Sequence, residues 1–309
     1  MQVTNKAMVI AVANRKGGVG KTTVSAMMST MLRMLGCRVL VVDNDPQANL
    51  TSMLGYTGYV GPNMYNVLLS EIALDVCLLK TAINKDTKHY YDPRTTHDGE
   101  AQAGPMLAPI TTAASNADFD LRSKVDLWVY QMREALQSVS SQFDYILIDC
   151  GPSLGTLTIN ALTAADYVLM PVLPERVVVE GLADLIGVIA TTRRRTNPSL
   201  QIAGVFFSMV QHWRAHMDIK EELRMPERQK AMVQVLGADA EPLRVFDTEI
   251  RHNAALATST NQRSLLVLDN AQSPHTKAYW LLLAELLNVV GGAGQAKANK
   301  VAANIQAEV

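Results

Sequence analysis

The chain is poor in several things. It has three cysteines in 309 residues, Cys37, Cys77 and Cys150, odd in number and far apart. That excludes a disulfide framework and matches no metal-ligand spacing. All three are expected as small buried hydrophobes in a reducing, cytoplasmic setting. Net charge is nearly absent: 28 Lys+Arg face 29 Asp+Glu. This excludes a globally basic nucleic-acid coat and leaves only a local basic patch open. No apolar run reaches the ~18 residues that span a bilayer. The opening residues lack a small-residue cleavage pattern, so no signal peptide is expected. There is no internal repeat. The chain is not poor in apolar residues, which make up 48% against 18% charged, and this excludes a disordered polymer.

What is present alternates. Met8–Ala13 is a short apolar run of the buried-strand type, followed by Asn14-Arg-Lys-Gly-Gly-Val-Gly-Lys-Thr-Thr23. Val24–Leu35 has helical spacing and Gly36 is a natural stop. Arg38–Asp43, Tyr145–Asp149, Tyr167–Pro171 and Ile202–Phe207 read as further strands. Helices are expected over Val125–Val139, Leu154–Ala165, Glu180–Arg194, Met217–Leu236 with an interruption at Pro226, and Thr276–Val290, with a short strand at Val245-Phe246. Residues 80–118 read as a surface insertion, and 291–309 as a flexible tail after a single domain, 1–290. Strands alternating with helices predict an α/β fold: a doubly wound, mainly parallel sheet with helices on both faces. Such sheets bind ligands at the carboxyl ends of their strands, where every motif here falls.

The loop at 14–23 misses the usual G-x-x-x-x-G-K-[ST] pattern by one position, because residue 15 is Arg. Its physics still suits a phosphate. Gly17, Gly18 and Gly20 let the backbone curl and aim N–H groups, and the following helix adds its positive end. Lys21 is placed to reach the β- and γ-phosphates, and the Thr22 hydroxyl to ligate Mg²⁺. Lys16 is a second lysine at the outer edge of the loop, facing a phosphate of its own nucleotide or of a neighbouring subunit's. Asp43 and Asp45 follow the second strand, where paired carboxylates hold a Mg²⁺ water shell and position an attacking water. Asp149 ends the third strand and is a further candidate metal carboxylate.

Asn14–Thr23 resembles the deviant Walker A loop of the ParA/MinD family of P-loop ATPases. Asp43-Asn-Asp45-Pro-Gln47 resembles that family's D-x-D-P-Q motif, and the stretch 143–166, with Glu180-Gly-Leu182, is similar to its ParA branch. One departure is Gly151, where the family usually has proline. The resemblance implies ATP and Mg²⁺ as cofactors. It implies Lys16, Lys21 and Asp45 as catalytic residues: Lys16 is the signature lysine that crosses an ATP-sandwiched homodimer, and Asp45 orients water. Lys16, Gly17, Gly18, Val19, Gly20, Lys21, Thr22 and Thr23 hold the nucleotide, and Thr22, Asp43 and Asp149 support the metal. It further implies hydrolysis that is slow without a partner, non-specific DNA binding on the nucleoid, and a ParB-like centromere-binding protein that stimulates turnover, so that plasmid or chromosomal DNA is partitioned.

Between 210 and 265 the charges balance, eight Lys/Arg against eight Asp/Glu, so composition alone marks no DNA patch. Arg224, Arg228 and Lys230 are placed to share a helix face, and Arg251 stands where the family often has Pro-Arg-Asn. Positioning of a protein cargo, a nucleotide-switched DNA-binding module with negligible turnover, and a MinD-like membrane-surface ATPase stay open as alternatives. The tail's stripe of Val301, Ile305 and Val309 is thin for a membrane anchor.

Overall fold

The computed structural model describes residues 6–95, 99–211, 214–237, 241–252, 265, 268 and 270–308, with backbone alone at 176–181, 214–217, 220 and 228. The described strands form one eight-stranded sheet. They are β1 (Met8–Val12), β2 (Val39–Asn44), β3 (Leu79–Asn84), β4 (Tyr90–Tyr91), β5 (Ala101–Ala108), β6 (Tyr145–Cys150), β7 (Tyr167–Val172) and β8 (Gln201–Phe207). Their order is β4-β3-β5-β2-β6-β1-β7-β8. From β5 to β8 every neighbour is parallel, and β3 and β4 are antiparallel at one edge.

The central strands read as unbroken apolar runs because both faces are covered. Their side chains still alternate. Val9, Ala11, Leu40, Val42, Ile146 and Ile148 join one core; Ile10, Val12, Val39, Val41, Tyr145 and Leu147 join the other. The first core packs beneath α3 (Met64–Leu68), α6 (Gln131–Val139), α7 (Thr156–Ala164) and α8 (Arg176–Arg195). The second packs beneath α1 (Lys21–Met34) and α11 (Pro274–Val290). The doubly wound sheet expected from the sequence is therefore the observed fold. The helix break expected near Pro226 is also present: α9 (Arg214–Arg224) ends before α10 (Pro226–Leu236), which carries its proline in the first turn.

Three expectations need correction. The segment 80–118, expected as a surface insertion, contributes to the sheet itself: among its described residues β3, β4 and β5 extend the sheet beyond β2, and α5 (Ala117–Lys124) follows. Only β4 is the edge strand; β5 lies between β3 and β2, and its Gly104 and Pro105, with exposed residues at its start, interrupt the apolar run that marks a buried strand. The helix expected over 125–139 begins only at Gln131, because Leu127 is left-handed (φ 52°) and a 3₁₀ turn, Trp128–Tyr130, precedes it. The tail is not a flexible segment either. Gln295–Ala307 forms α12, which packs through Ala298 and Ala302. The Tyr145 hydroxyl lies 2.8 Å from the carbonyls of both Gly291 and Ala293 and ties down the turn before it. Lys277 pairs with Glu308 at 2.6 Å near its end. Val301 and Ile305 pack onto the core, so the stripe considered for a membrane is used inside the domain; Val309 lies outside the described residues. No described helix is long and apolar enough to cross a membrane.

Residues 244–252 run beside β8 as an irregular edge. Phe246 N–H donates to Val205 and Ile250 N–H to Phe207 (2.8 and 2.9 Å), and His252 N–H donates to Val210 (3.0 Å). This carries residues from far along the chain to the carboxyl end of the sheet, beside the loop after β1.

Candidate nucleotide site

The loop between β1 and α1 is held from both sides. Asn14 donates to the Pro171 carbonyl at the end of β7 (2.7 Å), and its side-chain oxygen accepts the Lys16 N–H (2.9 Å). Ser208, just past β8, donates to the Val19 carbonyl (2.9 Å). Gly18 and Gly20 are left-handed (φ 74° and 84°), which non-glycine residues resist. A Cβ placed on Gly17, Gly18 or Gly20 would meet nothing within 4 Å. The loop is thus an open cradle walled by backbone, leading into the amino end of α1, where Val24 N–H closes the first turn on Gly20 (2.9 Å).

Lys21 is almost wholly buried, and its ammonium donates to the Lys16 carbonyl across the loop (2.9 Å). Burial lowers its pKa, while the Asp149, Cys150 and Asp45 charges pull it back up. Lys16 pairs instead with Glu175, and Arg15 with Asp184, both acids of the same chain. Lys16 is partly exposed at the outer rim. Val19 is buried under the loop, and Thr22 and Thr23 line the cleft.

Asp43 and Asp149 lie fully buried at the carboxyl ends of β2 and β6. Burial pushes Asp149 up to about 8, with the Asp43 charge adding to it and the Thr22 hydroxyl and Lys21 opposing. Burial likewise lifts Asp43 to about 7 against hydrogen bonds from Thr51 and Asp45. The two carboxyls are used differently. Asp43 accepts Thr51 N–H (2.8 Å), Thr51 Oγ1–H (2.7 Å) and Asp45 N–H (3.2 Å). It therefore secures α2 (Asn49–Met53) and the start of the D-x-D-P-Q turn. Asp149 Oδ1 accepts Ser25 Oγ–H at 3.2 Å, the Thr22 hydroxyl lies close by, and among the described residues the buried Oδ2 makes no hydrogen bond. An orphaned buried carboxylate oxygen costs free energy unless a ligand satisfies it. Beside the Thr22 hydroxyl and an open phosphate cradle it has the hard-oxygen chemistry that Mg²⁺ takes. Among the described residues no group of three or more His, Cys, Asp or Glu is placed to hold a metal ion.

Asp45, half-buried, lines the same cleft as Gly17, Gly18 and Gly20 to Thr23. The cleft has a volume of about 800 Å³, and residues not singled out in the sequence complete it: Asn49 and Ser52 on α2, Met209 after β8, Ile250 and His252, and Tyr279 on α11. Met209 is left-handed (φ 53°), a strained backbone of the kind that collects at ligand sites. The rule that ligands sit at strand carboxyl ends marks Ser208 and Met209. No local signal marks Ile250, His252 or Tyr279.

Arg224 and Lys230 lie on two different helices, so they do not share one helix face. Arg224 closes α9 and lies against the Phe246 carbonyl and Asp247 (3.3 and 3.5 Å), whereas Lys230 is exposed on α10, across the break at Met225. Arg251 is exposed between the cleft residues Ile250 and His252. The side chain of Arg228 lies outside the described residues, as does that of Glu180.

A strand, an open glycine loop, a helix that starts on lysine, and two buried acids on the adjoining strands define a P-loop nucleotide-binding protein. Comparison with known proteins gives the family. The AAA domain family model matches residues 7–202. The sporulation initiation inhibitor protein Soj of Bacillus subtilis is 32% identical over 90% of this chain and 97% of its own. The chromosome partitioning protein ParA of Caulobacter vibrioides is 29% identical over 92% and 95%. The structure of cobyrinic acid a,c-diamide synthase from Mycobacterium smegmatis with an ATP analog and magnesium superposes with a TM-score of 0.67 at 28% identity, covering 88% of this chain and 91% of that one. The chain belongs to the ParA/Soj family of P-loop ATPases.

Proposed function

We infer that this protein is a Mg²⁺-dependent ATPase whose ATP form is a nucleotide-sandwiched homodimer that binds DNA non-specifically, and that a ParB-like partner stimulates hydrolysis and releases it. The observation that supports this reading is that the phosphate loop and Asp45 line one cleft, with the buried Asp149 behind Thr22 and Lys16 on the outer rim.

Gly17–Gly20 supply backbone N–H groups to the phosphates, and Lys21 leaves the Lys16 carbonyl to neutralise charge developing on the transferred phosphoryl group. Thr22 and Asp149 would hold the metal, which would supply positive charge to offset that of the phosphates, and Asp43 supports the site from behind by fixing Asp45 and α2. Asp45 orients the attacking water. Lys16 exchanges Glu175 for the nucleotide of the second subunit. Turnover is slow alone because the chemistry waits on that assembly. The DNA contacts are drawn from Arg224, Arg228, Lys230 and Arg251, and a few phosphate contacts make binding weak and salt-sensitive.

The test is duplex DNA binding with ATP, with ADP and without nucleotide, over a salt series, with Asp45→Ala as the trapped ATP form. ATP-dependent binding that weakens with salt supports the reading. Absence of DNA binding by the trapped dimer removes DNA as the matrix.

A further inference from the structure

Phosphate-binding groups are not the whole lining of the cleft. Tyr279, on α11, borders it together with Val24, Met53, Met209 and Ile250. These four neighbours are apolar, the kind of wall a flat heteroaromatic ring packs against. Tyr279 shares a core with Val24, Met53 and Ile250, and only 2% of its surface is exposed. Its ring is therefore part of the packing, and its hydroxyl is the one polar atom the side chain brings.

Other buried tyrosines of this fold spend their hydroxyls inside the protein. Tyr145 donates to the turn before α12, Tyr56 donates to the Lys80 carbonyl (2.5 Å), and Tyr90 shares a hydrogen bond with Thr30 (2.7 Å). Tyr279 differs. Among the described residues its hydroxyl makes no hydrogen bond, and burial alone pushes its pKa up. It stays protonated, with a donor to give. Nor is it one of the sealed polar atoms without a partner, so it reaches open space, and the space that Tyr279 borders is the cleft. A buried donor left unmatched costs free energy until a ligand meets it. His252 lines the same cleft but is exposed, so water can satisfy it.

We propose that Tyr279 is a base-recognition residue of this site: its hydroxyl donates to a ring nitrogen of the adenine, which packs against Met209 and Ile250. The inference rests on the reading of the cleft as an ATP site. It gives the buried hydroxyl the partner that the fold withholds, and it makes affinity depend on the base as well as on the triphosphate. One hydrogen bond of this kind corresponds to roughly 3- to 10-fold in affinity.

The experiment is Tyr279→Phe in the full chain, which removes one oxygen and keeps the ring. Calorimetry reads the affinity for Mg-ATP and for ribose 5-triphosphate, which carries the same phosphates and sugar without a base. The melting temperature is read without nucleotide. The expected result is a roughly 3- to 10-fold weaker affinity for ATP, an unchanged affinity for ribose 5-triphosphate, and a nucleotide-free melting temperature at or above wild type, because an unmatched buried hydroxyl has gone. Wild-type affinity for ATP overturns the proposal. So does an equal loss for both ligands, or a fall in melting temperature, either of which makes the hydroxyl a structural group. Lys21→Ala is the control for the site itself. If it binds ATP as the wild type does, the reading of the cleft as the ATP site fails instead, so the two failures are told apart.

Discussion

Asp43 and Asp149 are direct register partners on the parallel strands β2 and β6, and neither has any exposed surface. Two carboxyl groups at that spacing in a dry site resist double ionisation. Their pKa values, raised to about 7 and about 8 chiefly by burial, mean that the nucleotide-free fold retains protons the unfolded chain releases near pH 4. Stability from these groups is therefore present in acid and is lost as pH rises through about 7 to 8. The melting temperature of the nucleotide-free protein should fall between pH 5.5 and 8.5, by on the order of 2–4 °C for each kcal/mol lost. Asp149→Asn should flatten the slope, and Mg-ATP should restore stability at the alkaline end. A flat profile in the wild type would show that both acids are ionised at rest.

The two lysines of the phosphate loop should separate cleanly. Lys21 is buried beneath the cradle, so Lys21→Ala should weaken binding of a fluorescent ATP analogue by about 100-fold or more. Lys16 sits on the rim, paired with Glu175. Lys16→Ala should bind nucleotide but elute as a monomer with ATP in light scattering. Dimer formation by that variant would remove Lys16 from the interface.

Asp45→Ala leaves the cradle, Lys21 and Asp149 in place. It should bind Mg-ATP, accumulate the dimer and lose at least about 100-fold in phosphate release, measured by a coupled phosphate assay. Normal release would move the water-orienting role elsewhere.

Gly55 tests the corrected part of the fold. It is left-handed (φ 102°), and a Cβ would fall 2.7–2.9 Å from the backbone of Tyr91 on β4. Gly55→Ala should destabilise the protein by about 2–4 kcal/mol in denaturant unfolding, through strained backbone and overpacking together. Gly58 is also left-handed but open around its Cβ position, so Gly58→Ala should cost only about 1–2 kcal/mol. Equal effects would mean that the β3–β4 hairpin does not press on the loop after α2.

Much of the site is legible in the chain because it is contiguous. The loop 14–23 lies between one strand and one helix, so its glycines, lysines and threonines are placed by the backbone that immediately surrounds them. Asp43 and Asp149 are legible for a related reason: each ends an unmistakable buried strand, and the parallel sheet brings those ends to one edge. The break between α9 and α10 is equally local, since proline lacks the N–H that an unbroken helix needs.

Other features were settled by contacts distant in sequence. Packing that no local pattern announces made β3, β4 and β5 an extension of the sheet, and Ala298 and Ala302, being small, allow α12 to dock on the core. Asn14 meets Pro171, Ser208 meets Val19, and Ile250, His252 and Tyr279 complete a cleft that opens near residue 17. The sequence by itself determined the phosphate chemistry, because that depends on spacing along a few residues. Only the tertiary structure decided which acid is spent on the protein's own hydrogen bonds, Asp43, and which retains a free oxygen, Asp149, because that depends on what the fold packs against each.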